Sequence, residues 1–103
     1  MNQQEICQQN RDYEGTAGVS KNNRRAGFLP AFRDDATGRV ELARMADGSA
    51  ATMHVITWLP PEWAETSDTE GGVVQLRDSI ICGFVRDGTF YTRDEVARLV
   101  DEA

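Results

Sequence analysis

Val85-Arg86-Asp87-Gly88-Thr89-Phe90-Tyr91-Thr92-Arg93-Asp94-Glu95-Val96 reads as strand, two-residue turn, short strand and capped helix. Asp-Gly suits a type I′ hairpin, in which both central residues take positive φ. Thr92 and Glu95 have capping-box spacing, and Tyr91 and Val96 stand where a hydrophobic staple closes it. Val96, Leu99 and Val100 continue as a stripe on one helix face. A hairpin feeding a helix points to an α+β domain.

Working outward, Ser79 to Arg86 is a long apolar strand and Val73 to Arg77 a short one. Thr52 to Leu59 is apolar on both faces and rich in β-branched residues, which predicts a central strand. Met53, Val55, Thr57 and Leu59 would point one way, and His54, Ile56 and Trp58 the other. Arg39 to Met45 alternates as a half-wet strand does. Gly27 to Arg33 looks extended, with Pro30 marking an edge strand or a bulge. Asp34 to Gly38 and Asp47-Gly48 are turns, and Pro61 opens one helical turn. The expected fold is a mainly antiparallel sheet of five or six strands with one C-terminal helix.

Residues 1–25 are polar and carry few large apolar groups. Such a stretch offsets little of its ordering entropy, so a flexible arm is expected before a single domain over residues 26–103. The arm is slightly positive, which leaves the remaining residues more acidic than the chain's net charge of -6. That balance disfavours direct binding to nucleic-acid phosphates or to an anionic membrane. It suits a protein partner with a basic surface.

Little in the chain has the pattern of a catalytic or metal site. His54 is the one histidine, and its apolar strand context predicts a hydrogen-bonded structural role rather than acid/base work. A small enzyme or ligand-binding domain using His54 is the alternative. Cys7 and Cys82 lie in unlike settings and show no ligand spacing, so neither a disulfide nor a metal centre is expected, and no cofactor. Asp34-Asp35 lies in a loop without a calcium-binding pattern. Gly15-Thr16-Ala17-Gly18-Val19-Ser20-Lys21 has the composition of a phosphate loop without its order of residues. No signal-peptide core opens the chain and no run has the length of a membrane span, so the reducing cytoplasm is expected.

The segment that invites a partner is acidic. Glu62, Glu65, Asp68 and Glu70 have no basic residue among them, and Trp63 is either a binding anchor or a lid on the core. These five residues form the candidate partner-binding set, with Trp58 read as core or a sheet-face anchor.

The phrases Gly27-Phe28-Leu29-Pro30-Ala31-Phe32-Arg33, Ala46-Asp47-Gly48, Leu59-Pro60-Pro61-Glu62-Trp63 and Gly83 to Arg93 resemble those of a group of short bacterial proteins without known activity. Some of that group are carried on prophages or other mobile elements. The resemblance implies an accessory protein over about residues 26–98 and implies no functional residue. The expected function is a small, acidic, non-enzymatic protein-interaction module. It would act as a mobile-element or phage-encoded inhibitor of a host nucleic-acid-binding or defence protein, in the manner of an anti-CRISPR. A subunit that self-associates through a sheet edge near Pro30 is a further alternative.

Overall fold

Two β-sheets and two helices organise the chain in a computed structural model that describes residues 1–14 and 27–101. The elements are α1 (Gln3–Asp12), β1 (Leu29–Asp34), β2 (Val40–Leu42), β3 (Ala64–Ser67), β4 (Val73–Leu76), β5 (Ile80–Arg86), β6 (Thr89–Thr92) and α2 (Arg93–Asp101). A 3-10 turn at Pro61–Trp63 precedes β3. The main sheet has four antiparallel strands in the order β2-β1-β5-β6, and β3 and β4 form a separate hairpin. Six strands are therefore present among the described residues, divided between two sheets.

The C-terminal reading holds in detail. Asp87 and Gly88 take φ of 53° and 78°, as a type I′ turn demands. The Glu95 N–H donates to Thr92 Oγ1 at 3.1 Å, and the Thr92 N–H donates to Glu95 Oε1 at 3.0 Å. Tyr91 packs on a small cluster of Phe28, Phe84 and Val96. Within the stripe Val96 is buried, whereas Leu99 is 46% exposed.

Three expectations are corrected. The first is the flexible arm. Asn2 caps α1 by accepting the Glu5 N–H at 2.9 Å, and Ile6 is fully buried in the main core. Asn2 also bridges to Gln75, and the Leu76 N–H donates to the Met1 carbonyl at 2.7 Å, so the first residues extend the β3–β4 hairpin. The remainder of that arm, with Gly15–Lys21, Arg24 and Arg25, lies outside the described residues.

The second is the central strand at Thr52–Leu59, which is irregular backbone. It crosses the core side of the main sheet. Its Thr57 carbonyl accepts from the Val73 N–H at 2.9 Å instead of joining a ladder. Burial alternates from Met53 to Thr57, with His54 and Ile56 inward, and then breaks, with Trp58 exposed and Leu59 buried. The third is Pro30, which sits in a central strand between β2 and β5. Its carbonyl accepts from Ala43, so its ring nitrogen faces the end of β2, where the β1–β2 pairing stops at Leu42. The missing donor is tolerated there.

The core lies on one face of the main sheet. Phe32, Ile80 and Cys82 from that face meet Ile6, Ile56, Leu59, Trp63, Val73 and Leu76.

Candidate functional site

His54 is held beneath the main sheet by partners from two elements. Its Nε2 lies 2.7 Å from the Gly83 carbonyl of β5, and its Nδ1 lies 3.2 Å from Nη2 of Arg93, the first residue of α2. A guanidinium only donates, so Nδ1 accepts and the proton sits on Nε2, which donates to Gly83. Phe32 and Phe84 meet the imidazole edge-to-face. Burial first, then the Arg93 charge, lowers its pKa from 6.5 to about 3. The imidazole is thus neutral, doubly engaged and 4% exposed. That is the structural role expected of it, and the geometry gives no support to an acid/base role. Burial likewise pushes the neighbouring Cys82 thiol up to about 11, whereas Cys7 is exposed on α1. Among the described residues no group of His, Cys, Asp and Glu is placed to hold a metal ion, and no helix is long and apolar enough to cross a membrane.

A cleft lies elsewhere. It is open, holds about 320 Å³, and is lined by Asp34, Thr37, Arg39, Glu62, Trp63 and Arg77 among others. Arg39 bridges it, donating to Glu62 at 2.7 Å and to Glu41 at 2.8 Å. That contact holds the Glu62 carboxyl below its usual range. Arg77 donates through Nε to the Glu62 carbonyl at 2.9 Å. Among the cleft's charged side chains, Arg39 and Glu62 are thus spent on each other.

The five proposed binding residues separate. Trp63 is 3% exposed and belongs to the core beneath Arg39, whose guanidinium lies 5.8 Å from the indole ring. It is a lid on the core rather than a surface anchor. Glu62 is claimed by Arg39. Asp68 is exposed, but its Oδ1 accepts from the Glu70 and Gly72 N–H groups at 2.9 and 2.8 Å and shapes the β3–β4 turn. A Cβ at Gly72 would stand 2.8 Å from Asp68 Oδ2 and 2.9 Å from Thr57 Cγ2, so a larger residue there would push these side chains aside. Glu65 and Glu70 are exposed, and no described side chain pairs with either.

The residue that sequence reasoning missed is Trp58. It is 46% exposed, and the Thr57–Val73 hydrogen bond sets it beside the start of β4. Val74, on the outward side of β4, is exposed as well. The sequence signal was present in the strand pattern, but it could not say which tryptophan the core would take. The β3–β4 hairpin thus carries exposed carboxylates, with an exposed indole at its margin. Set against protein-family models, curated proteins and solved structures, the chain matches none of them.

Proposed function

We propose that this chain is a small, non-enzymatic protein-interaction module. It engages a basic protein surface through the β3–β4 hairpin, with Glu65 and Glu70 supplying charge and Trp58 supplying the anchor. The observation that carries this reading is an exposed tryptophan beside a hairpin without basic residues. Large aromatics dominate binding energy when a partner buries them. Carboxylates around such an anchor speed encounter with a basic groove. A nucleic-acid-binding or defence protein of the host offers such a groove, and a phage or mobile element gains from blocking it inside the cytoplasm.

The experiment is capture from host lysate at low salt with the wild-type chain, Trp58→Ala and the pair Glu65→Lys with Glu70→Lys. A basic protein should be retained by the wild type and lost with Trp58→Ala. With the charge pair it should bind more slowly and with a weaker dependence on salt. Equal retention by all three would place the binding surface elsewhere.

A further inference from the structure

The two apolar clusters of the core meet at a polar seam. His54 stands between them, its ring centroid 5.4 Å from that of Phe32 in the main cluster and 4.9 Å from that of Phe84 in the small one. Arg93 enters the seam from α2, is 3% exposed, and brings its guanidinium to 6.0 Å from the Phe84 ring. A cation so deeply buried beside an imidazole tolerates only the neutral ring, whose Nδ1 accepts from Arg93. Among the described residues, the other groups facing the ring bring no negative charge. β5 supplies the Gly83 carbonyl and the Cys82 thiol, which burial keeps protonated by pushing its pKa up to about 11. β1 supplies Phe32, and α1 reaches the His54 backbone carbonyl through Gln3 at 3.0 Å. Asp94, the next residue of α2, is turned outward to Tyr13 and Arg98.

We propose that the His54–Arg93 contact is an acid-operated latch. Protonation of His54 at Nδ1 sets two donors and two positive charges 3.2 Å apart, and α2 leaves the sheet as a unit while the rest of the chain stays folded. The helix is the partner that yields. His54 is fixed by Gly83, by two aromatic rings and, through its carbonyl, by Gln3. Among the described side chains of α2, only Arg93 and Val96 are buried, and Asp94 adds an exposed hydrogen bond to Tyr13. The Thr92–Glu95 capping box is local to the helix start, and no sheet ladder runs through α2. Release uncovers the small cluster of Phe28, Phe84 and Tyr91. With α2 away, water reaches the imidazole, and its pKa returns toward 6.5 from about 3 in the docked state. The latch is therefore closed above pH 6.5, and release gains about tenfold per pH unit as the pH falls below that value. It involves neither the β3–β4 hairpin nor Trp58, so it stands independently of the proposed partner surface.

Amide hydrogen exchange of the full chain, followed by NMR at about pH 7, 6 and 5 and corrected for intrinsic rates, tests it. The opening constant of α2 should rise about tenfold from roughly pH 6 to 5, while at each pH the β1 and β5 amides stay better protected. At about pH 5, low urea should speed exchange in β1 and β5 and leave α2 unchanged, because local release exposes little surface. His54→Gln keeps an acceptor for Arg93 and a donor for Gly83 but does not titrate, so it should make α2 opening independent of pH. If that variant fails to fold, the urea dependence of the wild type decides. One opening constant and one urea dependence shared by α2 and β5 would overturn the proposal, since release would then be global unfolding. So would an α2 opening constant that stays level across that pH range, or a folded His54→Gln chain that keeps the wild-type pH dependence.

Discussion

A Cβ at Gly83 would run into the Tyr91 carbonyl and the Phe90 ring, both on the neighbouring strand. Gly83→Ala should therefore cost about 3 kcal/mol, at the upper end for an overpacked core, as read from urea unfolding. The same residue supplies the carbonyl that holds His54, so one position serves both sheet pairing and the buried imidazole. The histidine makes stability depend on pH with a defined sign. Its pKa falls from 6.5 in the unfolded chain to about 3 in the folded one. Below pH 6.5 the unfolded chain takes up the proton and the folded chain does not, so stability is full above that pH and declines as acid is added. The slope approaches about 1.4 kcal/mol per pH unit between roughly pH 6 and 5, above the range where most carboxylates titrate. His54→Leu should abolish that slope, and a slope unchanged in the variant would mean another group titrates there.

Among the elements, α2 tests local against tertiary contributions. Thr92→Ala removes an acceptor at the helix start and should cost about 1 kcal/mol. Val96→Ala should cost about 2 kcal/mol, because Val96 is the stripe residue buried on the sheet. Leu99→Ala should cost less than either, about 0.5 kcal/mol, since Leu99 stays exposed. In α1 packing dominates as well. Ile6→Ala should cost about 2–5 kcal/mol, as for a fully buried aliphatic residue, and a near-zero effect in thermal unfolding would show the helix to be undocked. These elements also show what the sequence made legible. The Asp87-Gly88 turn and the Thr92–Glu95 box are encoded within four residues, so they could be read directly. Asn2 and Glu5 have the same spacing at α1, but a single apolar residue, Ile6, carries the docking, and no periodicity emerges from one residue. Thr52–Leu59 has the composition of a strand and lacks a ladder, because its partners are the Val73 amide and the Gly83 carbonyl, remote in sequence.

On the scale of the whole molecule, the two tryptophans divide between core and surface, and that division is measurable. Iodide should quench the emission of Trp63→Phe, which keeps exposed Trp58, far more than that of Trp58→Phe. Comparable quenching would mean both indoles share one environment. Sequence composition identified the acidic segment and left the choice of anchor open, because burial of an indole is decided by what packs above it. Here that is Arg39, drawn across by Glu41 and Glu62. The pairing of the first residues with β4 has a consequence in time. The Met1–Leu76 and Asn2–Gln75 hydrogen bonds join residues 75 and 73 positions apart. Closing so long a loop is entropically slow, and contacts of this separation lower folding rates. During synthesis α1 emerges before its partner strand, and the core cluster around Ile6 lacks Val73, Leu76, Ile80 and Cys82 until those later residues are translated. The helix α1 is thus made before the strand beside which it docks, and over that interval a chaperone or a protease competes with β4 for it.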